Sequence, residues 1–344
     1  MSFQVTVQST NHQFPVQPGQ SVLDAALASG IVLPYSCRNG ACSTCKGKVV
    51  SGTFEAGPNP AQILSPEEIS AGYTLFCQAQ PSSDLVIEAH EVRMATDIQI
   101  RKMPSRVLEL EQLTHDVMKI QLQLPGGEPF RYYAGQYIEF ILKDGRRRSY
   151  SMASAPVENN AVELHIRHMP GGVFTDHVFG AGATQMKVRE ILRVEGPFGS
   201  FFLRDDSEKP VVFLASGTGF APIKAIVERM IETNNQRPAV LYWGGRRPGD
   251  LYMHDKVSEW TRDLPNFSYV PVISDAAPED DWTGRTGFVH QAVLQDIPDL
   301  SGYQVYACGA PIMVESARKD FTQLNALPDD EFYADAFTSE ADAP

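Results

Sequence analysis

The spacing of the cysteines constrains this chain more than any other feature of its sequence. Cys37, Cys42 and Cys45 lie within nine residues, separated by four residues and then by two, and Cys77 follows much later. Cys308 stands alone. The total is odd, and the N-terminus MSFQVTVQST has neither the basic nor the apolar region of an export signal. A disulfide framework is therefore disfavoured. We expect the first four cysteines to bind metal.

The pattern C-x4-C-x2-C with a distant fourth cysteine is the spacing of a plant-type [2Fe–2S] cluster. Gly40, Ala41 and Ser43 are small enough for a tight loop whose backbone N–H groups point at the cluster sulfurs. Zinc is the alternative, but zinc sites usually pair two C-x2-C units or add histidines. No histidine lies between Asn39 and Cys77. The sequence therefore predicts a [2Fe–2S] cluster.

Hydrophobic patterns divide the chain into three parts. In residues 1–92, polar and apolar residues alternate from Phe3 to Val7, which indicates a half-buried strand in a small mixed sheet. Residues 93–102 are predicted to form a linker. Residues 103–206 contain many short β-like segments, typical of an antiparallel barrel or sandwich. In residues 207–344 apolar strands alternate with helical stretches, which predicts βαβ units and a parallel sheet.

The composition disfavours several classes of partner. The chain has 29 Lys and Arg against 42 Asp and Glu, a formal net charge of −13, which suits neither nucleic acid nor anionic lipid. No apolar run reaches the roughly 18 residues that a membrane-spanning helix needs. We expect a monomeric cytoplasmic protein that binds neither nucleic acid nor membrane.

A second motif, Arg148-Ser149-Tyr150-Ser151, lies in the predicted barrel. A guanidinium can pair with phosphate, a phenol ring can pack on an isoalloxazine, and a hydroxyl can reach its N5 edge. The tetrapeptide alone is weak, because a basic strand end with a buried tyrosine would look the same. It nevertheless predicts a flavin site.

Two downstream features support the flavin prediction. His165 and Arg167 occupy alternate positions of one predicted strand and are candidate flavin contacts, although an ordinary exposed strand face explains them equally well. The segment from Gly172 to Thr175 reads as a glycine turn that opens a helix, which suits a pyrophosphate. The extra diphosphate contacts favour FAD over FMN.

Two motifs in the third part suit a nicotinamide dinucleotide. Gly217-Thr218-Gly219, with Pro222 just after it, follows an apolar strand and precedes a helix. Cys308-Gly309-Ala310-Pro311 follows the last long strand. Taken alone, the first motif is weak and the second could be an inert buried thiol. Together they predict a dinucleotide site at the ends of strands in one sheet.

Two features of the sequence bear on the identity of the nicotinamide donor. Arg246 and Arg247 end a predicted strand at a place where arginine could hold the 2′-phosphate of NADPH. The surrounding G-x-R…D-L-Y arrangement, with Asp250, Leu251 and Tyr252, instead resembles oxygenase reductases that use NADH. We therefore favour NADH and keep NADPH as the alternative.

These motifs resemble the ferredoxin-NADP⁺ reductase superfamily over nearly the whole chain, and residues 1–92 resemble a plant-type ferredoxin. R-x-Y-S, G-T-G-x-x-P and C-G-x-P are the forms expected in that superfamily. The resemblance implies a multidomain α+β and α/β fold. Its parts would be a β-grasp ferredoxin domain, a six-stranded antiparallel FAD-binding β-barrel and a parallel-sheet NAD(P)H-binding domain.

The resemblance also implies roles for the flavin residues. Arg148 would hold the flavin diphosphate, Tyr150 would cover the ring, and Ser151 would sit near N5 as a catalytic group. Gly172 and Thr175 would serve the phosphates.

The same resemblance places the catalytic thiol of Cys308 beside the nicotinamide, where it would aid hydride geometry. The residues that would bind the dinucleotide are Gly217, Thr218, Gly219, Pro222, Gly309 and Pro311. Phe337, near the C-terminus, would shield the flavin, although ordinary packing explains this aromatic residue as well.

A flavin bridges a two-electron donor and a one-electron carrier. The resemblance therefore implies electron flow from NAD(P)H through FAD and the cluster to a one-electron protein acceptor. The layout resembles reductase components of multicomponent oxygenases, such as benzoate dioxygenase, phenol hydroxylase and methane monooxygenase. HIRHMPGGVFTDHVFG and FYADAF resemble CDP-6-deoxy-Δ3,4-glucoseen reductase-like proteins more closely. We favour an oxygenase acceptor. The alternatives are a deoxysugar dehydrase, a direct flavin or quinone reductase, and a redox sensor.

Overall fold

A computed structural model describes residues 2–58, 60–94 and 98–337. The described chain forms two compact units: one contains the residues up to 98 together with residues 335–337, and the other contains residues 99–334. Residues 95–97 of the predicted linker and residues 338–344 at the C-terminus lie outside the described ranges. None of the described helices is both long and apolar enough to cross a membrane.

The first unit contains short strands and short helices. They are β1 (Phe3–Val7), β2 (Gln13–Val16), α1 (Val22–Ala28), β3 (Ile31–Val32), β4 (Lys46–Ser51), β5 (Phe54–Glu55), α2 (Pro60–Ile63), α3 (Pro66–Ser70), β6 (Tyr73–Leu75), β7 (Gln80–Pro81), β8 (Leu85–Glu88) and β9 (Arg93–Met94).

A five-stranded mixed sheet in the order β2-β1-β8-β4-β6 organises this unit. β1 pairs in parallel with β8, and the other neighbours are antiparallel. Two of its helices begin at serine caps: the Ser21 hydroxyl accepts a hydrogen bond from the Asp24 N–H, and Ser65 and Glu68 form a reciprocal capping box. The predicted linker begins with β9, which pairs with β3.

The second unit begins with six longer strands and one helix. They are β10 (Arg101–Gln112), β11 (Val117–Gln123), β12 (Tyr137–Ile141), β13 (Arg147–Ser151), β14 (Ala161–Arg167), α4 (Val173–Phe179) and β15 (Ile191–Phe198).

These strands form the predicted six-stranded antiparallel sheet, in the order β13-β12-β15-β10-β11-β14. An antiparallel bridge between Met152 and Leu164 joins the two outermost strands. The Ala153 N–H adds a 2.7 Å hydrogen bond to the Glu163 carbonyl. The sheet therefore curves back on itself around an apolar interior that includes Phe140.

The remaining elements alternate strands with helices. The elements are β16 (Val211–Ser216), α5 (Phe220–Glu232), β17 (Ala239–Gly245), α6 (His254–Asp263), β18 (Phe267–Ile273), β19 (Arg285–Thr286), α7 (Val289–Asp296), β20 (Gln304–Gly309), α8 (Pro311–Leu324) and β21 (Phe332–Ala336), with 3₁₀ turns at Gly217–Gly219, Pro248–Asp250, Pro278–Asp280 and Asp329–Glu331.

These strands form a second six-stranded sheet, in the order β19-β18-β17-β16-β20-β21. The pairs from β19 through β20 are all parallel, as the sequence predicts. The chain starts at β16, proceeds toward β19 and then returns to β20 on the other side of β16. The strand order therefore reverses between β16 and β20, and such a point is where open α/β sheets bind ligands.

Candidate functional site

The cysteine loop adopts an unusual backbone conformation. Arg38, Gly40 and Ser43 have positive φ angles of 58°, 82° and 55°. The Ala41 N–H points into the loop and lies 3.4 Å from the Cys37 sulfur as a hydrogen-bond donor. Donors directed at sulfur stabilise thiolates and share the charge of a bound cluster. The loop conformation therefore suits the predicted cluster.

Gln78, next to the fourth cysteine, holds the loop from the other side. A Cβ atom added at Gly40 would lie 2.3 Å from Gln78 Nε2. This amide also donates a 3.1 Å hydrogen bond to the Asn39 carbonyl. Sequence reasoning missed Gln78, although its position directly after Cys77 was a usable signal. Gly40 is thus required both by its φ angle and by close approach.

The four thiols interact in two pairs, and none of the five cysteines, all of which are described, forms a disulfide. A hydrogen bond with Cys37 lowers the pKa of Cys42 to about 6, against the effect of burial. The hydrogen bond to Cys77, together with burial, raises the pKa of Cys45. Four neighbouring thiols are the donor set that would hold a [2Fe–2S] cluster, which would supply one-electron transfer.

The flavin motif lies on β13. Arg148 and Tyr150 alternate with more exposed neighbours and share one face of the strand, while Ser151 is buried at its end. The Tyr150 ring packs 5.4 Å from the Phe174 ring centroid, and burial raises the pKa of its phenol. Aromatic support on one side leaves the motif suited to a planar ligand.

The glycine turn precedes α4 as predicted, with Gly172 as its N-cap. The Thr175 hydroxyl donates to the Met169 carbonyl at 2.8 Å and accepts from the Met169 N–H at 3.2 Å. A Cβ atom added at Gly172 would lie 2.7 Å from that hydroxyl. Thr175 therefore fixes the turn itself, and its predicted phosphate contact stays a prediction.

The two predicted dinucleotide motifs meet where the strand order reverses. Ala215 pairs with Cys308 across β16 and β20. A Cβ atom added at Gly219 would lie 2.1 Å from the Cys308 carbonyl oxygen. The Ala310 N–H donates a 3.0 Å hydrogen bond to Ser216 Oγ, a side chain that sequence reasoning missed. Glycine is needed because the two backbones approach within this distance.

The remaining dinucleotide residues surround this contact. Thr218 completes the 3₁₀ turn, Pro222 is buried in the first turn of α5, and Pro311 begins α8. The Trp243 Nε1–H donates to the Gly217 carbonyl at 3.1 Å, which anchors the turn to the sheet. Trp243 thus holds the Gly217–Gly219 turn on the side of the sheet, and the opposite side of the turn is suited to a pyrophosphate.

Arg167, the last residue of β14, contacts the Gly217–Gly219 turn. A Cβ atom added at Gly217 would lie 2.7 Å from Arg167 Nη1. The Arg167 Nε lies 3.1 Å from Asp116 Oδ2 in an ion pair. Sequence reasoning did not single out Asp116, and Arg167 was predicted only as a flavin contact.

His165 lies deeper on the same strand. Its Nε2 lies 2.9 Å from Glu163 Oε1 and its Nδ1 lies 3.0 Å from the Tyr252 hydroxyl. Because both ring nitrogens have protein partners, any flavin contact of His165 would come from its main chain or ring face. Glu163 was missed because a single acidic residue in a strand carries no distinctive pattern. Phe337, directly after β21, is half-buried, and its predicted role against the flavin stays a prediction.

The arginine pair after β17 is surrounded by carboxylates. Asp250 Oδ2 accepts the backbone N–H groups of Arg246 and Arg247 at 2.8 and 3.0 Å. Arg247 Nε lies 2.8 Å from Asp280 Oδ2, and its Nη2 lies 3.2 Å from Glu279 Oε1. These carboxylates raise the pKa of the Arg247 guanidinium. The Arg247 guanidinium is therefore already paired with protein carboxylates.

Three known protein families match successive parts of the chain. The 2Fe-2S iron-sulfur cluster binding domain matches residues 5–82, the oxidoreductase FAD-binding domain matches residues 104–203, and the oxidoreductase NAD-binding domain matches residues 213–319. The cluster, the flavin and the nicotinamide dinucleotide expected from the motifs are therefore the cofactors of this chain.

Individual relatives match over almost their full length. CDP-6-deoxy-L-threo-D-glycero-4-hexulose-3-dehydrase reductase of Yersinia pestis is 41% identical over 98% of this chain and 99% of its own. Terephthalate 1,2-dioxygenase reductase component 1 of a Comamonas species is 35% identical over 98% of both chains. A crystal structure of an Amycolatopsis cytochrome P450 reductase is similar with a TM-score of 0.78 at 34% identity, over 98% of this chain and 99% of that chain.

Proposed function

We propose, from the premise that this chain belongs to the ferredoxin-NADP⁺ reductase superfamily and carries an N-terminal plant-type [2Fe–2S] ferredoxin domain, that it delivers electrons from NADH to an oxygenase component. When bound, FAD accepts two electrons as a hydride and releases them singly, and the cluster carries one. The observation that carries this function is the presence of three loop cysteines and the distant Cys77 in one chain with matched FAD-binding and NAD-binding domains.

The residues of the chain divide this work among them. Arg148 holds the flavin diphosphate and Tyr150 covers the ring, a proposal that their shared face on β13 supports. Ser151 lies at the N5 edge. Gly219 lets the glycine turn approach Cys308, whose thiol orients the nicotinamide. Normal FAD content in an Arg148→Ala protein would contradict the first of these assignments.

An oxygenase component is the acceptor that we favour. The Comamonas relative is named as a reductase component of a dioxygenase, and the similar Amycolatopsis structure is named as a cytochrome P450 reductase. A plant-type cluster has a reduction potential of about −400 mV, which is low enough to reduce acceptors that are themselves hard to reduce.

A deoxysugar dehydrase is the second candidate acceptor. The Yersinia pestis relative, at 41% identity, is named as a reductase of a CDP-hexulose dehydrase. NADH oxidation measured with a terephthalate dioxygenase oxygenase component and, separately, with a CDP-hexulose dehydrase compares the two. Faster coupled turnover with the dehydrase would overturn the oxygenase assignment and leave the electron-transfer function intact.

The Cys42→Ser variant tests whether electrons leave through the cluster. Loss of this ligand should abolish NADH-dependent reduction of cytochrome c, a one-electron protein acceptor. Ferricyanide reduction, which can take electrons directly from flavin, should persist. The Cys308→Ser variant is the converse control, because it should slow both reactions together. Unchanged cytochrome c reduction in a Cys42→Ser protein without a cluster would instead favour a direct flavin or quinone reductase.

We infer that NADH is the donor because of the carboxylates around Arg247. A 2′-phosphate would compete with Glu279 and Asp280 for this guanidinium and would meet their negative charge. Wild-type protein should show a higher kcat/KM for NADH than for NADPH. The double variant Glu279→Gln/Asp280→Asn should move the ratio toward NADPH. A wild-type preference for NADPH would contradict the inference.

Three finer statements from the sequence are kept as proposals. The domain limits 1–92, 103–206 and 207–344, with a linker at 93–102, are supported by the matched ranges, which fall inside them. We also propose that the protein is cytoplasmic and monomeric. Light scattering of the holoprotein tests the monomer, and a mass near 76 kDa, about twice the 38.0 kDa of one chain, would contradict it.

A further inference from the structure

A set of buried polar side chains lies between the barrel and the parallel-sheet region of the second unit. Lys224, on α5, has only 4% of its side chain exposed. Its Nζ donates a 2.8 Å hydrogen bond to the Ala153 carbonyl and lies 3.0 Å from Glu163 Oε1. The same carboxylate contacts His165, which in turn contacts Tyr252. We call Lys224, Glu163, His165 and Tyr252 the buried polar cluster.

The charges and protons of the cluster are mutually consistent. Burial alone would raise the pKa of Glu163, but the hydrogen bond from His165 and the charge of Lys224 lower it to about 2. Burial lowers the pKa of His165, so its ring is neutral. A neutral ring donates from Nε2 to the Glu163 carboxylate and accepts at Nδ1 from the Tyr252 hydroxyl. Each of these contacts is therefore satisfied by one arrangement of protons.

The cluster connects the elements that carry the two predicted cofactor motifs. Ala153 follows the flavin motif on β13 by two residues, and Glu163 and His165 lie on β14. Lys224 follows Pro222 by two residues on α5, the helix that begins directly after the Gly217–Gly219 turn. Tyr252 follows β17, and its ring packs edge-on against Trp243, the residue that anchors the glycine turn.

We propose that the buried polar cluster fixes β14 and the end of the flavin motif relative to the Gly217–Gly219 turn, and that Lys224, His165 and Tyr252 are positioning residues for hydride transfer. A buried ion pair stabilises poorly compared with apolar packing, but its directional contacts permit one arrangement only. Hydride transfer from nicotinamide to flavin depends steeply on such an arrangement, because a misplacement of about 1 Å can cost about 100-fold in rate. The two electrons and the hydrogen pass directly from donor to flavin, and no further reactant is needed.

The inference rests on NAD(P)H-dependent flavin reduction and is independent of the acceptor. Anaerobic stopped-flow absorbance of the holoprotein measures flavin reduction at saturating NADH. The Lys224→Met variant should reduce flavin about 100-fold more slowly, with FAD content and the Kd for NADH close to wild type. NADH deuterated at the transferred position should give a larger kinetic isotope effect than in wild type, because the donor and acceptor are less well aligned.

Two further variants serve as a matched control and as a milder perturbation of the cluster. Lys224 Nζ also lies 2.9 Å from Glu228 Oε1. Lys256→Met is the matched control, because Lys256 lies 3.8 Å from the same oxygen but is 46% exposed and outside the cluster. Its flavin reduction and isotope effect should equal those of wild type. Tyr252→Phe removes only the hydroxyl that contacts His165 and should slow flavin reduction about tenfold. It provides a test even if Lys224→Met fails to fold.

A measurement without NADH examines the arrangement directly. Hydrogen–deuterium exchange followed by mass spectrometry should show faster exchange in 161–167 and 220–232 in Lys224→Met and Tyr252→Phe, but not in Lys256→Met. A Tyr252→Phe protein with wild-type flavin reduction, isotope effect and exchange would overturn the proposal. So would a Lys224→Met protein whose whole deficit is in the Kd for NADH. Failure of the acceptor assignment would leave all of these results unchanged.

Discussion

Replacing Gly309 with alanine should damage the nicotinamide site while leaving the two bound redox groups in place. Gly309 has a φ angle of 135°, and an added Cβ atom would lie 2.2 Å from Ser216 Oγ and 2.7 Å from the Ser216 carbonyl oxygen. Gly287 provides a matched control in the same sheet region. Its φ angle is 109°, but no atom lies within 4 Å of an added Cβ. Both variants carry backbone strain, and only one carries a steric clash.

The clash sets the size of the expected difference. Ser216 Oγ can rotate away, but it then loses its hydrogen bond to the Ala310 N–H, which costs about 1 kcal/mol. Its carbonyl oxygen cannot rotate, so relief of the remaining overlap costs a further ~1–2 kcal/mol. If the strand end moves to relieve this strain, the total of about 2–3 kcal/mol corresponds to a loss of about 30- to 150-fold in kcat/KM for NADH.

Steady-state ferricyanide reduction measures this loss, because ferricyanide does not require the cluster. Visible absorbance should show normal flavin and cluster content in both variants. Gly287→Ala should lose stability through backbone strain, by about 1–3 kcal/mol, and keep kcat/KM for NADH near wild type. Equal kcat/KM values in Gly309→Ala and Gly287→Ala would show that the close approach to Ser216 has no part in donor binding.

Gly40→Ala should lower iron content and thermal stability, because Gln78 Nε2 lies 2.3 Å from the added Cβ. Gly19→Ala, with a similar φ of 77° and no atom within 4 Å of its added Cβ, should retain full iron content. Equal iron content in the two variants would refute this. Glu163, ionised with a pKa of about 2 against the ordinary 4.5, stabilises the fold by about 3 kcal/mol above pH 4.5 and loses this contribution as the pH falls toward 2. Glu163→Gln should therefore show a flatter fall in Tm between pH 6 and pH 3 than wild type, and parallel curves would contradict the assignment.

Sequence patterns predicted the architecture because each part has its own hydrophobic periodicity and its own turn and capping residues. The capping residues Ser21 and Ser65, and the apolar strands before Gly217 and Cys308, carry local signals that survive folding unchanged. The cysteine spacing alone identified the cluster, since no other common site uses that pattern. The strand reversal that brings Gly219 beside Cys308 could only be expected through resemblance to a superfamily.

Contacts between distant segments escaped sequence reasoning. Lys224 and Glu163 are 61 positions apart, and nothing in a lone lysine on a helix or a lone glutamate on a strand shows that they will meet. The pairing of Arg247 with Glu279 and Asp280 was equally hidden, because these carboxylates follow a different strand. Such pairings arise from the fold and have no local pattern.

We expect electrons from the nicotinamide to reach the cluster only through the flavin. Electron paramagnetic resonance of the anaerobic protein after addition of NADH measures cluster reduction directly. Wild-type protein should give the signal of a reduced [2Fe–2S] cluster within the mixing time of the experiment. Arg148→Ala protein that lacks FAD but retains its cluster should give no signal until FAD is restored. A full cluster signal in flavin-free protein would contradict the account.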